Sequence, residues 1–229
     1  MKRGFYTIMA AQFFSSLADN ALFVAAMALL ISLDSPSWMT PLLKWSFALS
    51  YVVLAAFVGA FADSRPKGKV MFFTNLIKIS GCSLMFFDVH PVIAYGIVGF
   101  GAAAYSPAKY GILTELLPAE KLVAANGWIE GLTISSIILG FALGGALVDQ
   151  RISTHLLAFD FPLIDFAINS TNQSALVVIS GCYIMAGIFN LRIPDTGARY
   201  EKQAHSPLRL LADFTRSSST LWKDKLGQI

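Results

Sequence analysis

Apolar residues run in long blocks along this chain, and short polar or charged stretches separate the blocks. Segments 5–32, 42–62, 70–88, 91–107, 122–148 and 174–191 are mostly apolar, and about 20 such residues in a helix cross a bilayer's hydrocarbon core. Between them stand "DSPSWMTP", "DSRPKGK", "DVHP", "SPAKYGILTELLPAEK" and the stretch 149–173, which carry turn-forming and charged residues. The pattern predicts an all-α membrane protein with six transmembrane helices. It divides the chain into a six-helix bundle over 1–193 and a basic tail over 194–229, read as a cytoplasmic linker or the start of a second half.

Composition sharpens this picture. Hydrophobic residues make up 55% of the chain and charged residues 14%, with a mean hydropathy of +0.62, where a soluble domain carries roughly 25% charged residues. With the N-terminus inside, 14 of the 17 lysines and arginines fall on inner segments. Lys44 and Arg151 fall outside, and Lys78 lies within the third span. Positive residues collect on the cytoplasmic side, so both termini are expected there. The net charge of +3 follows topology and has no basic stripe of the kind that binds nucleic acid. "MKRGFYTIMAAQ" runs into a span too long for a secretory leader.

Polar residues inside the spans are the candidate chemistry. In "QFFSSLADNALF" of the first span, Gln12, Ser16, Asp19, Asn20 and Phe23 share a helical face, with Ser15 beside them. A charge at mid-bilayer costs about 2.5–3.5 kcal/mol on insertion scales, so such a stripe must face a hydrated cavity or a partner. Lys78 in "NLIKISG" and Glu130 in "GWIEGL" have the same problem of depth, and pairing acid with base relieves it. Asp19 is expected to pair with Lys78 or with a base from a second bundle. The second bundle is favoured, because a bridge between bundles can break and re-form as they rock. A structural ion pair is the plainer alternative. Pro107 in "AYSPAKYG" should end or kink the fourth helix, with Tyr105 and Lys109 flanking the break.

Internal repetition adds topology. "GAFAD" (Gly59–Asp63) and "GALVD" (Gly145–Asp149) recur 86 residues apart, as a three-helix unit and its inverted copy would place them. "GAFADSRPKGK" resembles the signature loop of the major facilitator superfamily, although Gly68 stands later than the usual glycine. Here Gly59 would allow close helix approach, Asp63 would accept hydrogen bonds, and Arg65, Lys67 and Lys69 would donate them, latching two bundles in one state. Topogenic charge alone is the alternative. Gly127, Gly131 and Ser135, and Gly140 and Gly144, form small-residue ridges for helix packing. Cys82 and Cys182 read as small hydrophobes. Neither has metal ligands nearby in sequence, and no metal or cofactor is expected. "HLLAFD" places His155 and Asp160 at the spacing of glycerolipid acyltransferases, but that spacing recurs by chance and no second acyltransferase block accompanies it. No catalytic residue is assigned.

"ADNALF", "GAFADSRPKGKV", "LVAANGWIEG" and above all "AAAYSPAKYGILTELL" resemble the bacterial lysophospholipid transporter family of that superfamily. The resemblance implies a twelve-helix protein of the bacterial inner membrane, of which this chain is the N-terminal half and lacks the C-terminal six-helix half. It implies transport of lysophosphatidylethanolamine and lysophosphatidylglycerol to the cytoplasmic leaflet by alternating access, with functional coupling to a lysophospholipid acyltransferase. On that reading Asp19, Asn20, Lys78, Tyr105, Lys109 and Glu130 form the substrate path, with Lys109 placed to meet a phosphate. Phe5, Phe13, Phe14, Phe23 and Tyr105 would form an apolar wall for the acyl chain. Efflux of another amphipathic solute is the alternative transport reading, and a membrane acyltransferase the enzymatic one.

Overall fold

The computed structural model describes residues 3–157, 170–198 and 207–223. They form helices α1 (Arg3–Ser32), α2 (Met39–Asp63), α3 (Lys67–Phe86), α4 (Pro91–Leu116), α5 (Ala119–Val148), α6 (Gln150–Leu157), α7 (Thr171–Leu191) and α8 (Pro207–Lys223). Local chemistry sets the ends. α1 stops before Asp34, whose φ of 49° is left-handed, and α3 stops before Asp88 at 59°; the short polar side chain of Asp tolerates that region better than most residues do. α4 starts with Pro91 at its first position, and the His90 ring accepts from the Val92 N–H. Ser170 caps α7 by accepting from the Gln173 N–H.

The six expected spans correspond to α1–α5 and α7. Four of these helices, α1, α2, α5 and α7, are long and apolar enough to cross a membrane. α3 and α4 carry more polar or small residues, and each packs against several neighbours, α3 on α4 and α7, and α4 on α2 and α3. α1 packs on α5 and α7. Exchanging α1, α2 and α3 for α4, α5 and α7 leaves this set of pairings unchanged, which is the packing of a three-helix unit and its repeat. Two helices, α6 and α8, stand outside the six-span pattern.

Two expectations about the helices are narrowed by the structure. α4 runs through Pro107 to Leu116, so the proline does not end the helix. Its flanks, Ala104, Tyr105 and Ala108, are buried in the bundle, and tertiary packing holds the turn that lacks a hydrogen-bond donor. The small-residue ridges divide as well. A Cβ at Gly140 would lie 2.7 Å from the Leu17 carbonyl oxygen, and one at Gly144 would lie 2.8 Å from that of Ala21, so α5 meets α1 backbone to backbone there. Gly59, Gly127 and Gly131 would meet nothing within 4 Å, because they lie on faces of α2 and α5 turned away from their neighbours.

Two apolar clusters make the core. One gathers Ala18, Leu22, Leu30, Leu43, Cys82, Tyr95 and Ile179. The other gathers Phe5, Ile8, Val70, Met71, Ile112 and Ile129. On α1 the second cluster lies toward the N-terminus and the first toward the C-terminus, with Gln12, Ser15 and Ser16 between them. A polar layer therefore separates two dry ones. Cys82 is buried, as a small hydrophobe would be.

Candidate functional site

The polar layer opens on a cavity of about 210 Å³. α1 lines it with Gln12, Ser15, Ser16, Asp19 and Asn20; α2 with Lys44, Phe47 and Tyr51; α3 with Lys78; α4 with Tyr95, Tyr105, Ser106 and Lys109; α5 with Thr133 and Ile137. The polar face read from the 3.6-residue period of α1 is the face that meets this cavity.

Asp19 and Lys78 pair at its base. Lys78 Nζ donates to Asp19 Oδ2 at 2.7 Å and to Ser15 Oγ at 2.9 Å. Tyr183 donates its hydroxyl to Asp19 Oδ1 at 2.8 Å, and Tyr95 donates to the Asp19 carbonyl oxygen at 3.3 Å. Ser15 in turn donates to Asn75 Oδ1 at 2.9 Å. The pair joins α1 to α3, within one bundle, and Lys78 is the first of the two partners expected for Asp19. The Lys78 stem packs tightly against α4, where a Cβ at Gly101 would lie 2.7 Å from both Lys78 Cγ and the Thr74 carbonyl oxygen. The ammonium also lies 5.1 Å from the Tyr105 ring centroid and 5.9 Å from that of Tyr183, within cation–π range.

The other expected site residues fall into two groups. Asn20 lines the cavity and donates to the Ser16 carbonyl oxygen at 2.8 Å. Tyr105 lines it with a buried hydroxyl that has no partner among the described residues. Lys109 lines it too, buried, with its ammonium 4.3 Å from the Tyr110 ring centroid. Glu130 does not join Asp19 and Lys78. Half exposed on α5, it accepts from the Tyr110 hydroxyl at 2.5 Å and lies 3.9 Å from Lys109. The expected apolar wall changes membership: Phe5 is in the core, Phe14 stacks on Phe189 of α7, and Phe47, Tyr51 and Tyr95 supply the lining.

Sequence reasoning passed over Lys44, Asn75, Tyr95 and Tyr183. Lys44, read there as an outer topology charge, holds its ammonium 3.9 Å from the Phe23 ring centroid and 5.8 Å from that of Phe141. Lys44, Lys78 and Lys109 thus share one cavity in which, among the described residues, Asp19 is the one lining carboxylate. Tyr183 was marked only by being polar within an apolar span. That mark does not say which helix it faces.

The expected latch loop is local. Lys67, buried, pairs with Asp63 and donates to the Ala62 carbonyl oxygen at 3.0 Å. The Arg65 guanidinium lies 5.4 Å from the Phe73 ring centroid, and Lys69 is exposed. Close approach here belongs to Gly68 rather than Gly59, since a Cβ at Gly68 would lie 3.1 Å from the Asn190 carbonyl oxygen at the end of α7. His155 is exposed on α6, and Asp160 lies outside the described residues.

The family profile of the Major Facilitator Superfamily matches residues 8–225. The chain belongs to the Major Facilitator Superfamily. This facilitator chain is 38% identical over 224 residues to a lysophospholipid transporter, LplT, of Yersinia enterocolitica, and 39% identical to those of Yersinia pestis and Yersinia pseudotuberculosis. Each match covers 98% of the chain and 50% of the relative, so the chain spans about half the length of the curated relatives it matches. Family membership makes it a multi-pass membrane protein. The polar layer of this facilitator chain is then a charged, cavity-lining site at the depth of its membrane helices.

Proposed function

We propose that this chain is the N-terminal half of a lysophospholipid transporter of the bacterial inner membrane, with both termini cytoplasmic, and that its polar cavity receives the headgroup. The observation carrying the reading is the Asp19–Lys78 pair, joined by Lys44 and Lys109 in one cavity. A zwitterionic head brings an anionic phosphate and a cationic amine together. Its phosphate can take Lys78 while its amine takes Asp19, so one ion pair is exchanged for two and no buried charge stands alone. A phosphoglycerol head offers the same phosphate, with hydroxyls for Asp19 and Asn20. The orphan Tyr105 hydroxyl supports a polar guest, because buried donors are rarely left unpaired. At about 210 Å³ the cavity is below the roughly 300–1,000 Å³ of whole-ligand pockets, which suits a headgroup whose acyl chain stays in lipid.

Alternating access needs two bundles, and the second is the partner this reading requires. Asp63, Arg65, Lys67 and Lys69 would latch it on the cytoplasmic side. Flipped lysophospholipid would then be substrate for an acyltransferase acting at the cytoplasmic leaflet. The test is uptake of labelled lysophosphatidylethanolamine by the complete two-half protein. Asp19→Asn keeps size and hydrogen bonding but removes charge, and should lower uptake at least about tenfold at equal amounts of protein in the membrane, the loss that about 1.4 kcal/mol would give. Full uptake by Asp19→Asn would overturn the assignment.

A further inference from the structure

Buried hydrogen-bond donors collect where α3 and α4 meet the cavity, without acceptors to match. An ammonium carries three N–H groups and accepts nothing. Lys78 gives two of its three to Asp19 Oδ2 and Ser15 Oγ, which leaves one without a hydrogen-bond partner among the described residues. Having accepted from Lys78, Ser15 turns its own proton to Asn75 Oδ1. That contact fixes which way the amide points, and its Nδ2 has no acceptor among the described residues. The Tyr105 hydroxyl has none there either. Asn75 is 0% exposed, Lys78 2% and Tyr105 4%. All three are buried by this chain itself, so the shortage does not arise at a face that a second bundle would cover. Buried donors are seldom left unmatched, and here three side chains on two helices leave theirs so.

We infer that this wall is an oxyanion subsite: a headgroup enters phosphate first, its oxygens taking Lys78, Tyr105 and Asn75, while its amine or glycerol end stays toward Asp19 and Asn20. The inference rests on the reading that the cavity receives a headgroup, and adds its orientation and the residues that select it. The fold sets the donors side by side. Asn75 and Lys78 stand at i and i+3 on α3, so their side chains leave the same face. A Cβ at Gly81 would meet Val98 and one at Gly101 would meet Lys78 and Thr74, so α3 and α4 run antiparallel. One turn beyond Gly101, Tyr105 therefore stands nearer the start of α3, in the same cluster as Met71. The Lys78 ammonium lies 5.1 Å from the Tyr105 ring centroid and one serine away from Asn75. A phosphate drawn to that ammonium brings its oxygens to both neighbours. A phosphodiester suits the wall because it carries only acceptors and a charge to match the lysine. An amine or hydroxyl would add donors to a surplus, and water brings two donors with its acceptors.

The test measures binding of radiolabelled lysophosphatidylglycerol to the full chain in dodecyl maltoside, a detergent without phosphate. Dodecyl phosphate should compete, and monolauroylglycerol, which keeps the glycerol and lacks the phosphate, should not. Tyr105→Phe removes only the hydroxyl. It should weaken dodecyl phosphate at least about tenfold, as losing a hydrogen bond to a charged group does. It should leave the unfolding midpoint of the empty protein unchanged or higher, because the hydroxyl is unmatched there. Asn75→Asp keeps the acceptor for Ser15 and replaces the donor by an oxygen, and should weaken dodecyl phosphate further; if that variant does not fold, Tyr105→Phe alone decides. Parental affinity in Tyr105→Phe, or competition by monolauroylglycerol as strong as by dodecyl phosphate, overturns the inference. So does a lowered midpoint with unchanged affinity, the signature of a structural water. Equal competition by inorganic phosphate overturns the assignment to a lipid headgroup. The two readings fail separately. Uptake of lysophosphatidylethanolamine by the complete protein without phosphate-selective binding removes the subsite alone, and selective binding without uptake leaves the subsite standing and removes the transporter.

Discussion

Removing the Lys78 ammonium should destabilise the bundle more than any surface charge could. Lys78→Met keeps the packed stem beside Gly101 and deletes only the group that donates to Asp19 at 2.7 Å and to Ser15 at 2.9 Å. Asp19 then keeps Tyr183 as its one side-chain donor, inside a layer flanked by two apolar clusters. Breaking a buried pair from one side costs about 3–5 kcal/mol, or roughly two to nearly four powers of ten in the folded-to-unfolded ratio. Asp19→Asn strands the lysine instead and should cost a similar amount. The double variant Asp19→Asn with Lys78→Met leaves no charge, and the amide oxygen that replaces the carboxylate can still accept from Tyr183. It should return to within about 1 kcal/mol of the parent, a coupling far beyond the roughly 0.5 kcal/mol scatter of independent sites. Equilibrium unfolding in mixed micelles of rising dodecyl sulfate fraction, followed by helicity, reads all four proteins. If the single effects are small and simply add, the pair is not an energetic unit and the reasoning fails.

Tyr183→Phe removes one charge-assisted hydrogen bond to Asp19 and should cost about 1.5–3 kcal/mol in the same unfolding experiment; no change would mean water replaces the hydroxyl. Gly140→Ala places a methyl group against the α1 backbone and should cost about 1–3 kcal/mol. Gly131→Ala, with nothing within 4 Å, should be neutral or stabilising by up to about 1 kcal/mol, and a reversed order would refute the packing of α5 on α1. In a background free of the native cysteines, Ser64→Cys and Thr171→Cys should react with an impermeant maleimide from opposite sides, Thr171→Cys from outside. Labelling from one side alone would overturn the orientation.

The sequence by itself determined the helical, membrane-spanning character of the chain, since apolar blocks of bilayer length separated by turn-forming breaks leave little else to form. It also determined which face of α1 is polar, because periodicity along one helix is a local property, and it marked Asp19, Lys78 and Glu130 as charges needing company. The amphipathic pattern of α8 was equally present in the letters and was hidden only by a search for long apolar runs. Which groups meet was decided by the tertiary structure alone. Asp19 and Lys78 lie 59 residues apart, and Asp19 and Tyr183 lie 164 apart; their contact depends on how α3 and α7 are placed beside α1. Glu130 has the same mid-span mark as Asp19 yet turns outward to Tyr110. Gly127 and Gly131 have the same small-residue spacing as Gly140 and Gly144, yet a Cβ there would meet nothing within 4 Å among the described residues. One-dimensional spacing says that a residue can approach a neighbour, and only the arrangement of helices supplies the neighbour.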